Sequence, residues 1–237
     1  MAMPTRNHII QLVYFGPQGS GKTSNLRRLW ARLPDRFRSR LLIVDNVTDD
    51  ELFAHETDLA GTTHFFDLLP LVLDMGSERL TLRIVAVPGH SMHQSTRRLL
   101  LRNADGVVFV ADSGLSFAEN AQCFLELRAS LRENGLAPDS MPLVLQLNKI
   151  DREPLLTTEA QLRQLVQGRA DVATVLASAD KDRGVAETLV ELIRLVWPTV
   201  LHERNAFAMV GLDGAQLAQL LLQRLGVARV DADGARP

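Results

Sequence analysis

The chain has 237 residues, 46% hydrophobic and 23% charged, enough for one globular domain with a sizeable core and an appendage. A formal net charge of −2 supplies no global basic field, so neither nucleic acid nor an anionic membrane surface is an expected partner. The single cysteine, Cys123, excludes an internal disulfide and sits in the helical pattern AENAQCFLEL, where a buried inert thiol of a reducing compartment is expected.

The start, MAMPTRNHII, has no signal-peptide core, and no apolar run reaches the roughly 18 residues of a membrane helix. A cytoplasmic protein without an integral membrane segment is therefore expected. The apolar run Ile9–Phe15 predicts a buried strand ending at Gly16, followed by a helix over Lys22–Leu33 that Pro34 stops. Leu41–Asp45 is a short strand candidate. Asn46–Thr63 is polar and aperiodic, a long loop of the kind that usually carries function. Phe65–Met75 and Arg79–Val87, joined by Gly76-Ser77, predict an antiparallel hairpin. Helices over Ser91–Arg102, Ser116–Asn134, Thr158–Gln167 and Gly184–Val196 then alternate with strands over Gly106–Ala111, Pro142–Leu147 and Val172–Leu176. That alternation predicts a mostly parallel sheet with helices on both faces. Pro198 is expected to halt the last of these helices. The expected domain spans residues 1–200. A C-terminal extension over 201–237 holds one amphipathic helix, N-capped by Asp213, with Leu217, Leu220, Leu221 and Leu225 on one stripe, and a frayed tail. The stripe fits core packing, or alternatively docking of a partner.

GPQGSGKT, Gly16–Thr23, matches the phosphate-loop pattern GxxxxGK[ST] and lies between a strand and a helix. By chance the pattern occurs in about one chain in a hundred of this length, so its context matters. Backbone amides of Gly19, Ser20, Gly21, Lys22, Thr23 and Ser24 can ring an anion at a helix N-terminus. Lys22 is expected at the β- and γ-phosphates, and the Thr23 hydroxyl on Mg²⁺. NKID, Asn148–Asp151, follows a strand whose carboxyl end lies beside the phosphate loop. Asp151 can accept from N1–H and N2–H₂ of guanine, a donor pair that adenine lacks. The Lys149 stem can lie over the base, and Asn148 can brace neighbouring loops. In ASAD, Ala177–Asp180, a backbone amide near Ser178 and Ala179 can hold guanine O6.

With these residues the chain resembles a Ras-superfamily GTPase, and within that group the bacterial gliding-motility (MglA-like) small GTPases. The resemblance rests on YFGPQGSGKTSNL (14–26), THFFDLLPL (63–71), VPG (87–89), ADGVVFVADS (104–113) and LNKID (147–151), and covers about residues 9–200. It implies an α/β P-loop NTPase fold: three α/β/α layers around a mostly parallel six-stranded sheet with one antiparallel edge strand. It implies GTP/GDP and Mg²⁺ as ligands, and a slow GTP-hydrolysing switch aided by a Roadblock-type activating protein and acting on downstream effectors. Thr63 is implied as the switch I threonine and second metal ligand, with Thr62 its neighbour in register. Gly89 is implied as the γ-phosphate sensor.

Several positions depart from the pattern. Ala86 stands where DxxG has its aspartate, a place where the subfamily typically has threonine. His90 stands where a water-orienting glutamine is usual, and is a candidate for that role. Gln18 replaces a common glycine and is implied near the γ-phosphate. Thr62 occupies the place of the subfamily's built-in arginine finger, worth about 10³–10⁵ in rate. Arg97 and Arg98 could substitute only if their helix moved, and are expected to be solvated. The expected catalytic set is Lys22, His90 and Gln18. The six histidines show no metal-ligand spacing. Two other readings remain open: a GTP-dependent scaffold with negligible catalysis, and a P-loop ATPase or kinase.

Overall fold

A computed structural model describes residues 6–34, 42–47, 64–75, 78–87, 94–204 and 213–226. Among these residues seven strands form one sheet: β1 (Arg6–Phe15), β2 (Leu42–Val47), β3 (His64–Met75), β4 (Glu78–Ala86), β5 (Gly106–Asp112), β6 (Leu143–Asn148) and β7 (Ala173–Leu176), in the order β2-β3-β4-β1-β5-β6-β7. The helices are α1 (Lys22–Arg32), α2 (Gln94–Arg102), α3 (Phe117–Glu133), α4 (Glu159–Gln164), α5 (Val185–Arg204) and α6 (Gly214–Arg224).

The layers follow from the two-residue period of the strands. In β1, Ile10, Leu12 and Tyr14 face one core with Leu26 and Leu29 of α1 and Leu189 and Ile193 of α5. Val13 and Phe15 face the other, with Leu100 of α2, Phe124 and Leu127 of α3 and Leu162 of α4. Phe109 and Phe124 meet edge to face, ring centroids 5.1 Å apart. Strands β5 and β6 are buried along their whole length, as strands covered on both faces must be. One buried polar residue interrupts β6. Gln146 is satisfied by reciprocal 2.9 Å bonds with Asn25 on α1, and it donates to Thr188 Oγ1 on α5 at 2.8 Å.

The α/β class, the three layers and the mostly parallel sheet match expectation. The β3–β4 hairpin pairs antiparallel from Asp67↔Ala86 to Met75↔Glu78. The strand count differs from the six that the resemblance implies, because β2 adds a seventh strand against β3. The reversed strand, β3, thus lies one place in from the edge, its outer backbone groups paired instead of open. Cys123 is buried, and burial pushes its thiol up to about 12, so it stays protonated at neutral pH.

The C-terminal part departs most from expectation. Pro198 does not halt α5, which continues to Arg204. A proline removes one N–H and crowds the carbonyl four residues back, and here that carbonyl, Arg194 O, lies where the start of α6 packs: a Cβ on Gly214 would sit 3.9 Å from it and 3.4 Å from the Trp197 ring. Asp213 caps α6 as expected, accepting from the Gln216 amide at 2.7 Å. Leu217, Ala218, Leu221 and Leu225 belong to the same core cluster as β1 and α1, while Leu220 is only half-buried. The leucine stripe is core packing, and α5 crosses the expected boundary at residue 200. We predict that Leu221→Ala costs about 2–5 kcal/mol, the range for deleting a fully buried leucine side chain. Urea denaturation checks this, and an unchanged midpoint would show that α6 contributes nothing to the core.

Candidate functional site

The site starts at the end of β1. Gly16 runs so close to β5 that a Cβ there would meet Val110 O at 2.2 Å, so only glycine lets the chain turn at this point. The loop ends in Gly21, the N-cap of α1, at φ 99°. Among the described residues no side chain caps α1, and no acidic residue occupies its first turn, which leaves its amides and its dipole available to an anion. Within the loop the Ser20 hydroxyl is buried with no hydrogen-bond partner among the described residues. Lys22 is buried too. Its Nζ donates to Gly16 O at 2.9 Å and Pro17 O at 2.7 Å, and burial lowers its pKa from 10.5 to about 8. The ammonium is thus charged at neutral pH and poorly hydrated, the state in which it attracts phosphate most strongly. Gln18 and Gly19 are the exposed residues of the loop.

Asn148, at the end of β6, joins this loop to two others. Its Nδ2 donates to Ser20 O at 2.7 Å, and its Oδ1 accepts from the Ala179 amide at 2.9 Å. The approach is close enough that a Cβ on Gly21 would fall 2.2 Å from Nδ2. The following residue, Lys149, takes a left-handed φ of 67° and pairs with Asp112 at 2.6 Å at the end of β5. The Ile150 amide donates to Ala177 O at 3.2 Å. Asp151 is exposed, and the neighbouring Ser178 hydroxyl holds its carboxyl below the usual range. One cleft is lined by Gly19, Gly21, Ser24, Asn148, Lys149, Asp151 and Ala179, with Arg152 and Asp180. Three motifs from distant parts of the chain therefore share one hollow at the carboxyl ends of the parallel strands.

On the other side of the loop, the Thr23 hydroxyl donates to the Asp67 carboxylate. Asp67 lies on β3 directly across from Ala86 in the ladder. A carboxylate thus reaches Thr23 from the strand facing the position where the sequence lacks one. Thr23 and Asp67 together offer hard oxygen donors suited to a small divalent cation. Among the described residues no group of three or more His, Cys, Asp or Glu side chains converges as a metal site, so a cation here would depend on nucleotide oxygens as well.

Of the expected site residues, Thr63, Gly89 and His90, together with Thr62, lie outside the described residues. Arg97 is not solvated as expected. It is buried, pairs with Glu126 on α3 at 3.2 Å and lies 5.6 Å over the Phe15 ring, whereas Arg98 is exposed. Lys149 reaches Asp112, an acceptor that the motif alone does not indicate. Asp67 is the residue the sequence reading missed. Counting ladder partners back from the Gly76-Ser77 turn would have set it opposite Ala86.

Fold and site together define a P-loop nucleotide-binding α/β protein. No protein-family model matches the chain. Over 188 residues it is 32% identical to the mutual gliding-motility protein MglA of Myxococcus xanthus (strain DK1622), a match that spans 78% of this chain and 89% of that protein. The chain belongs to the MglA-like family of Ras-superfamily small GTPases. Among the described residues no helix is long and apolar enough to cross a membrane.

The buried Lys22 has a consequence for stability. Its folded pKa of about 8 lies below its ordinary 10.5, so between those values the unfolded chain binds more protons than the folded one. Stability of the nucleotide-free protein is therefore expected to rise with pH across that window. Denaturation at several pH values should show the slope in the wild type and lose it in Lys22→Met.

Proposed function

We propose that the protein is a guanine-nucleotide switch. In this reading it hydrolyses GTP to GDP slowly and with a partner's help, in cytoplasmic polarity, motility or intracellular signalling. The observation that carries the reading is the Asn148 clasp. It holds the phosphate loop and the turn at Ala179 on either side of one cleft that Asp151 also lines. An anion-binding loop and a carboxylate able to accept two bonds from guanine are thus fixed relative to each other by one side chain.

Hydrolysis would proceed by in-line attack of water on the γ-phosphorus. The Lys22 ammonium and the amides from Gly19 to Ser24 take up the charge that develops on the phosphate oxygens. His90 orients the water, Gln18 stands beside it at the exposed part of the loop, and Thr63 and Gly89 sense the γ-phosphate. When bound, Mg²⁺ neutralises charge on the β- and γ-phosphate oxygens. The residues of this chain that would hold it are Thr23 and Thr63, with Asp67 in place of the carboxylate absent at Ala86. Slow turnover follows from Thr62, which supplies no guanidinium, and from Arg97, which is tied to Glu126. A Roadblock-type activating protein and downstream effectors are the partners this reading implies.

Ala86 also favours a second reading, a GTP-dependent scaffold with negligible catalysis. Single-turnover hydrolysis with and without a Roadblock-type partner separates the two. The switch reading expects a slow rate that the partner raises by at least about tenfold, a fall in barrier of about 1.4 kcal/mol. A rate equal to that of free GTP in both conditions leaves only the scaffold.

The metal assignment has its own test. Asp67→Asn should raise the Mg²⁺ concentration needed to retain GDP, read as nucleotide release during Mg²⁺ titration. Adding Ala86→Asp should restore it from the facing strand. Unchanged Mg²⁺ dependence in Asp67→Asn would remove Asp67 from the site.

A further inference from the structure

On the α2 side of the sheet the row Val13–Val85–Leu68, across β1, β4 and β3, is buried together with Leu100 and Leu101 of α2. The next row toward the start of β1 is Gln11–Arg83–Pro70, and the one after it is Ile9–Thr81–Val72. Gln11 still lies at the helix, its Nε2 donating to Leu100 O at 2.7 Å. Beyond it burial falls away. Ile9, Pro70, Val72, Thr81 and Arg83 are only partly buried, whereas Ile10, Leu71 and Leu82, which point to the opposite face of the same strands, are buried in the other core.

Arg83 stands in the middle of this face, and the residues beside it in both rows are uncharged. Among the described residues its guanidinium has no hydrogen bond and no ion pair. Burial lowers its pKa from the ordinary 12.5, and no carboxylate among the described residues offsets the shift. Other arginines withdrawn from solvent are paired: Arg32 with Asp182, Arg97 with Glu126, Arg128 with Asp139 and Arg169 with Asp171. A charge taken from water without a counter-charge costs stability, so position 83 is suited to an acceptor that arrives from outside.

The backbone at this place accepts no further strand. β4 lies between β3 and β1 and is bonded on both sides, so a partner meets side chains and not open edge groups. An apolar sheet face of this kind is covered by a helix, as α2 covers the adjoining row. A helix laid across the two rows would bring apolar residues at i, i+3, i+4 and i+7 onto Ile9, Val72 and Pro70. One carboxylate in that stripe would meet the Arg83 fork, whose planar donors match it with two bonds.

We propose that this face of β1, β4 and β3 docks an amphipathic helix of a partner protein, through a carboxylate that pairs with Arg83. Ile9, Val72 and Pro70 supply the apolar contact. Thr81, whose hydroxyl donates to Asn7 Oδ1 at 3.0 Å, forms the margin. The face lies toward the start of β1, whereas the phosphate loop follows its end, so docking here does not rest on the guanine reading.

The test selects binders to the full chain from a displayed library of helical peptides about four turns long, with leucine fixed along one stripe and the other positions random. Counter-selection on Val72→Arg, which obstructs the face, removes peptides that bind elsewhere. The recovered peptides are expected to carry Asp or Glu beside the leucines. They should bind Arg83→Met at least about tenfold more weakly, the scale of losing one desolvated charge partner. Arg83→Glu should bind the same peptides only after their acidic residue is changed to Lys. Recovery of no face-dependent peptide, or of peptides indifferent to Arg83, overturns the proposal. In the free protein, the urea midpoint of Arg83→Met should hold or rise, because an uncompensated charge is removed while the stem is kept. A lower midpoint would show that a carboxylate of the chain itself already pairs with Arg83, and would overturn the proposal. Self-association of the wild type that Arg83→Glu abolishes would assign the face to a second copy and overturn it as well.

Discussion

The site depends on the two hydrogen bonds of the Asn148 side chain. A carboxamide has a donor end and an acceptor end, and here each is spent on a different loop: Nδ2 on Ser20 O and Oδ1 on Ala179 N. Because Asn148 is buried, losing either partner would leave a polar atom without water to replace it. The phosphate loop, the NKID turn and the Ala177–Asp180 turn are thereby locked into one arrangement. The glycine at position 21 belongs to the same constraint, since any side chain there would displace the amide it contacts.

Around that clasp the site holds charge in places that cost stability. Among the described residues the buried Lys22 has carbonyl oxygens as its hydrogen-bond partners, and Thr23 engages a carboxylate from β3. Burial of this kind disfavours an isolated charge and favours one that meets a counter-charge. Position 86 carries no carboxylate, but its partner across the ladder does: one antiparallel pairing step away in space is nineteen residues away in sequence, at Asp67.

Much of the fold was legible because its signals are local. Short β-branched runs alternate with helices of about three turns, and the Gly76-Ser77 link marks the hairpin. Asp213 announces a cap three residues before Gln216. Pro198 was misleading for a physical reason. A proline forbids one hydrogen bond, but a helix whose next turns bury Trp197 and Val200 retains enough packing to continue past it. The resemblance implied six strands, whereas the residues themselves marked seven strand segments, and β2 pairs against β3 as the seventh.

The sequence by itself determined the class of site, because GPQGSGKT and NKID carry the required atoms at fixed spacing along the backbone. It also determined which residues alternate onto which face of the sheet. Only the tertiary structure decided which side chains meet. That Asp67 faces Ala86, that Lys149 rests on Asp112, and that Arg28 bonds the carbonyls of Ala179 and Asp180 all depend on contacts between residues 19 to 152 positions apart. Such contacts are set by strand register and helix docking, and these minimise the energy of the whole packed core. Neighbours along the chain do not encode them.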